Sequence, residues 1–138
     1  VFIPIVMATA GNAGIQSSAI AVQGLATGDV WLTDISRRLS KELRVALLNG
    51  VVAACVLGVA ILLIAQVYPL ARPVELAGTA ALSLVLVIVL ATCIGASIPL
   101  LLEHLKIDPA IATGPFITTS NDIMGILIFF LLADWIYL

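Results

Sequence analysis

An all-α fold, a polytopic bundle of four membrane-crossing helices, is what this sequence predicts, and three observations predict it. Of its 138 residues 62% are hydrophobic, and the mean hydropathy is +1.24. Six Lys or Arg and eight Asp or Glu are present, where a soluble chain of this length carries roughly 35 charges. The charges are also segregated: residues 1–28, 45–71 and 76–102 hold none, and 109–133 holds only Asp122. A helix of about 27 residues is ~40 Å long, enough to cross a ~30 Å hydrocarbon layer with tilt to spare. The spans are therefore expected at about 1–27, 45–68, 75–102 and 114–138, all in one transmembrane domain.

The first span begins without an initiator Met, a basic leader or a small-residue cleavage site, so it does not read as a signal peptide. A chain opening inside a helix reads as part of something longer. Midway along this span the apolar pattern breaks at Ala8-Thr9-Ala10-Gly11-Asn12-Ala13-Gly14-Ile15-Gln16-Ser17-Ser18.

Residues 29–44 are too polar to span. Trp31, Ile35, Leu39 and Leu43 recur every four residues, and Arg37, Arg38, Lys41 and Arg44 lie mainly off that stripe. This predicts a short amphipathic helix on the cytoplasmic leaflet, capped by Thr33 or Asp34. The other reading is a solvated basic linker.

Small residues that let helices approach mark the second span at Gly50, Ala54 and Gly58 and the third at Ala91 and Gly95. Pro99 should bend the third span near its cytoplasmic end, because it cannot donate to the carbonyl four residues back. In the fourth span Pro115 suits the first helical turn, and Asp122 follows two turns later, about 10 Å into the bilayer. This span opens on a second polar stretch, Gly114-Pro115-Phe116-Ile117-Thr118-Thr119-Ser120-Asn121-Asp122.

Five of the six basic residues fall in two loops on one side: Arg37, Arg38, Lys41, Arg44 and Lys106. The positive-inside rule puts that side in the cytoplasm and the C-terminus outside. Tyr68, Trp135 and Tyr137 then fall at the outer aromatic belt.

Several function classes drop out. A net charge of -2 and few polar surfaces exclude a nucleic-acid partner. Cys55 and Cys93 each sit inside an apolar span and read as buried hydrophobes. No nucleophile–base pair can be assembled within the spans, so the chain is not expected to be an enzyme.

An ionisable group at membrane depth points instead to a site, because leaving it unpaired there costs several kcal/mol. Helical spacing puts Gly114, Thr118, Asp122, Gly125 and Phe129 on one face, and Ala8, Gly11, Ile15 and Ser18 on another. If the two faces meet, they make a conduit lined by backbone oxygens, hydroxyls and one carboxylate, which favours a cation. Two structural alternatives stand beside this: Asp122 protonated, or bonded to Thr118 or Asn121, as helix glue, and Gly11 with Gly14 serving only close packing. The oxygen-only lining suits a hard ion, and Mg²⁺, which sheds its waters reluctantly, fits a ring of carboxylate and carbonyl groups. His104 lies in a loop, and no thiolate or imidazole cluster exists for zinc or copper.

Four motifs carry a family resemblance: Gly11-Asn12-Ala13-Gly14-Ile15-Gln16-Ser17, Gly24-Leu25-Ala26-Thr27-Gly28-Asp29, Gly95-Ala96-Ser97-Ile98-Pro99-Leu100, and Asp108 to Phe116 running on to Asp122-Ile123-Met124-Gly125. In this order and at these intervals they resemble the transmembrane domain of the MgtE magnesium transporters. The resemblance implies an inner-membrane homodimer with the pore on its two-fold axis and five spans per protomer, of which four are present. It also implies a cytoplasmic N domain and paired CBS domains beyond these residues. By position, Asp122 matches the acid that holds hydrated Mg²⁺, and Ala8, Gly11 and Thr118 match positions whose carbonyls line that site. Asn12 belongs to the signature, and Ile15 and Gly114 fall near the cytoplasmic constriction. Pro115, Asn121 and Gly125 complete the expected lining.

The function so implied is Mg²⁺-selective conduction into the cytoplasm down the electrochemical gradient, other divalent cations being possible cargo. The rival within transport is a Na⁺- or H⁺-coupled divalent cation exchanger in which Asp122 titrates. Outside transport, the rival is a membrane anchor whose polar residues only join helices.

Overall fold

The computed structural model describes residues 2–28, 35–112 and 114–137. Four helices follow one another: α1 (Ile3–Thr27), α2 (Ile35–Val67), α3 (Pro73–His104) and α4 (Pro115–Tyr137), with a 3-10 turn at Pro109–Ala112 before α4. All four are long and apolar enough to cross a membrane, and no strand occurs among the described residues. Trp31, Thr33 and Asp34 lie outside the described residues, as does the side chain of Tyr137.

The helix ends follow from local chemistry. Pro occupies the first turn of α1, α3 and α4, where its missing N–H has no helical partner to lose. Gly28 ends α1 at φ +74°, its N–H donating to the Leu25 carbonyl at 3.2 Å. The Asp108 carboxylate accepts the Ala110 N–H at 2.9 Å and so closes the 3-10 turn.

One boundary departs from the sequence reading. Residues 35–44 are not a helix apart from the second span but its first turns, in one unbroken helix of 33 residues. The reason is local: no Gly or Pro interrupts 35–49, and Leu, Arg, Lys, Glu and Ala there are strong helix formers. A 33-residue helix is ~50 Å long, so the basic turns extend beyond a ~30 Å hydrocarbon layer. Leu39 shares a cleft with Ser97, Leu100, Leu101 and His104 at the end of α3.

Helix α3 is the hub. It packs on α1, α2 and α4; α1 also packs on α4, whereas α1 and α2 make no extensive contact. Val6, Ala10, Leu57, Ile61, Ala80, Leu84, Val87, Ile88 and Phe129 belong to the shared core. The outward faces are apolar too: Leu48, Val52, Val59, Leu63 and Val67 of α2 are all more than half exposed. Exposed Val and Leu along a whole helix are what a lipid-facing wall requires.

Small residues set the closest approaches. A Cβ on Gly95 of α3 would overlap the carbonyl of Gly14 on α1, and one on Gly50 of α2 would come within 3.3 Å of the Val85 backbone. Gly58 has nothing within 4 Å of that position, so only the first part of the Gly50–Ala54–Gly58 ridge serves a contact. Helix α3 runs on through the buried Pro99, whose lost donor leaves the Gly95 carbonyl without its usual partner.

Candidate functional site

The site is built where the polar stretches of α1 and α4 come side by side. Gly114 adopts φ +71°, a left-handed backbone open to glycine without penalty, and this turn aims Pro115 and the rest of α4 into the bundle. The Thr118 N–H donates to the Gly114 carbonyl at 3.1 Å, and its hydroxyl donates to the carbonyls of Pro115 at 3.0 Å and Gly114 at 3.3 Å. On α1, Gly11 is buried against Thr118, whose methyl lies 3.9 Å from where a Gly11 Cβ would stand. The polar faces of α1 and α4 therefore meet at Gly11 and Thr118.

Besides the buried Gly11, the nine other expected residues divide into two groups. Ala8 and Asn12 of α1 and Pro115 and Asp122 of α4 are exposed on the chain's surface, with Ile15, Gly114 and Thr118 half-buried beside them. Asn121 and Gly125 go the other way. Asn121 is 1% exposed and wedged against Gly14, while a Cβ on Gly125 would stand 3.1 Å from the Met7 sulfur and 3.3 Å from Val87. Ile117, Asn121, Gly125 and Phe129, four residues apart, form the inward stripe of α4. Spacing had grouped Gly125 and Phe129 with Asp122; the structure separates them, because a helical wheel gives azimuth but not which neighbour covers it at each depth.

Asp122 makes no hydrogen bond or ion pair with the described residues. That removes, within the chain, the alternative of a carboxylate tied to Thr118 or Asn121. Asn121 in turn has neither amide atom hydrogen-bonded. No group of three or more His, Cys, Asp or Glu that could hold a metal ion occurs among the described residues. One chain thus offers an ion a single carboxylate beside hydroxyl, amide and carbonyl oxygens. Such a surface suits a cation that keeps much of its water.

A second polar cluster escaped the sequence reading. The Ser17 hydroxyl of α1 donates to the Glu42 carboxylate of α2 at 3.1 Å, and Arg38 stands 4.0 Å from the same carboxylate while donating to the Ile20 carbonyl at 3.3 Å. A cavity of about 80 Å³ beside them is lined by Gln16, Ser17, Glu42, Asn49 and Thr92 among others. The signal was present: Glu42 is the one acid among the bases of 36–44, four residues after Arg38. Reading 29–44 as a separate segment hid its reach to α1.

Comparison with known proteins follows the same lines. A family model described as MgtE, divalent cation transporter, matches residues 3–132. The chain is 37% identical over 136 residues to the magnesium transporter MgtE of Thermus thermophilus, covering 96% of this chain and 28% of that protein. It is 38% identical over 134 residues to the magnesium transporter MgtE of Enterococcus faecalis and 38% identical over 133 residues to that of Bacillus subtilis, covering 97% and 96% of this chain respectively. The chain spans 28% of the length of each of these relatives.

Proposed function

The chain belongs to the MgtE family of divalent cation transporters, and from that premise we propose that its four helices form half of a pathway for hydrated Mg²⁺ into the cytoplasm. Two copies would face each other across a two-fold axis, each presenting Ala8, Asn12, Thr118 and Asp122. The observation that carries this reading is Asp122 itself, an exposed carboxylate two turns into a membrane-crossing helix with no side-chain partner among the described residues. Lipid is a poor neighbour for such a group; a second copy and a dication between the two carboxylates would supply what it lacks.

In this reading the paired carboxylates attract the ion mostly through its waters, so complete dehydration is avoided. Carbonyls of Ala8, Gly11 and Thr118 orient those waters, and Ile15, Gly114 and Pro115 lie on the cytoplasmic approach. The inward-negative potential supplies about 4.6 kcal/mol per 100 mV for a divalent ion, and conduction then needs no coupled ion. The location is the inner membrane with the C-terminus outside, and the cytoplasmic N and CBS domains of the longer protein would regulate the flow.

The test is Mg²⁺ uptake into proteoliposomes by the full-length protein carrying Asp122→Asn. Uptake is expected to fall to the protein-free background while helix content and thermal stability hold, since the Asp122 carboxylate bonds none of the described residues. Asp134→Asn, near the other surface, is expected to conduct normally. Wild-type flux in the Asp122→Asn protein overturns the proposal.

A further inference from the structure

The four bases at the start of α2 are not equivalent. Arg38 is turned toward the bundle, held by Glu42 and the Ile20 carbonyl. Arg37, Lys41 and Arg44 make no ion pair or side-chain hydrogen bond with the described residues. Together with Arg38, Ser40 and Val45 they line a hollow of about 560 Å³ at these turns. On an ideal helix the three lie within about 60° of one another.

What lies below them on the same helix decides the ligand. Leu48 (69% exposed), Val52 (56%), Val59 (57%) and Leu63 (57%) continue the same sector of α2, a strip about 22 Å long. A soluble acidic partner could meet the three cations but could not follow that strip into the bilayer. A phospholipid matches both parts, its phosphate in the hollow and its acyl chains along the strip. The other end of the bundle offers no counterpart, because Arg72 there is paired with Glu75 at 3.3 Å.

We propose that Arg37, Lys41 and Arg44 form a binding site for one anionic phospholipid, whose acyl chains lie on Leu48, Val52, Val59 and Leu63. The site does not depend on the transport reading, because it uses no residue of the Asp122 face.

The experiment is native mass spectrometry of the full-length protein released from nanodiscs containing equal amounts of phosphatidylglycerol and phosphatidylcholine with identical acyl chains. A cation beside an anionic lipid contributes about fivefold in affinity. Wild type is therefore expected to retain phosphatidylglycerol over phosphatidylcholine by on the order of a hundredfold, and Arg37→Gln/Lys41→Gln/Arg44→Gln to approach parity. Lys41→Gln alone, which leaves two cations and the helix intact, should lose about fivefold, and Arg72→Gln nothing. Equal retention of the two lipids by wild type overturns the proposal, as does undiminished preference in the triple variant. Displacement of the lipid by millimolar glycerol phosphate would assign the hollow to a free phosphate instead, and tighter capture of polyglutamate than of phosphatidylglycerol would assign it to a protein.

Discussion

Gly14 of α1 and Gly95 of α3 cross backbone on backbone: a Cβ on Gly95 would overlap the Gly14 carbonyl oxygen, and one on Gly14 would overlap the amide of Asn121. Three helices therefore meet at a point where α1 and α3 carry only hydrogen and α4 fills the space with Asn121, one residue before Asp122. Gly95→Ala must push α1 from α3, at a cost of about 3 kcal/mol, the upper end for an overpacked core. Gly58→Ala meets open space and should be neutral or stabilise by up to about 1 kcal/mol through helix propensity. Unfolding of both variants in mixed micelles checks the contrast, and equal stabilities would remove the crossing from the account.

Gly114 tests the start of α4. Its φ of +71° is strained for any L side chain, yet beyond its chain neighbours no atom of the described residues stands within 4 Å of a Cβ there. Gly114→Ala should therefore cost about 1 kcal/mol through backbone strain alone, and Gly114→Asn less, since Asn tolerates this conformation. A cost well above that range in both would mean the position is filled when the protein works.

The Ser17–Glu42 bond ties the first turns of α2 to α1. A double-mutant cycle with Ser17→Ala and Glu42→Gln should give a favourable coupling of about 1 kcal/mol. The Glu42 side chain is only 16% exposed, so raising the salt concentration should change that coupling little.

Asn12 and Asn121 should separate surface from core. Asn121 has no hydrogen bond to lose, so the nearly isosteric Asn121→Leu is expected to keep or raise stability by about 1 kcal/mol. Asn12 lies on the exposed strip with Ala8; Asn12→Leu should leave unfolding unchanged and lower Mg²⁺ uptake. Unaltered uptake in Asn12→Leu would take that strip off the ion path.

Much of this was legible in the residues, and what was not has identifiable causes. Charge-free runs place helices because each charge at membrane depth is costly, and Pro115 after Gly114 marks a helix start. The union of 35–44 with the second span was hidden by its polarity: composition reports the solvent, whereas helix continuity depends on propensity, which never fails there. The inward course of Asn121 and Gly125 was hidden because periodicity fixes azimuth alone. Covering Asn121 needed the Gly14–Gly95 crossing, formed by residues some eighty positions apart in sequence. The Gly11–Thr118 contact answers what the residues left conditional, whether the polar faces of α1 and α4 meet.

The packing of α3 on every other helix, with α1 and α2 making no extensive contact, bears on the order of assembly at the ribosome. Of these four helices α1 leaves the translocation machinery before the others, and its successor is not its main partner. Its buried Ser18 hydroxyl waits in the bilayer until a hairpin of α2 and α3 has been threaded. Interrupting elongation between those two helices should therefore strand α1 in a state open to proteolysis, whereas a pause after α3 should leave it protected.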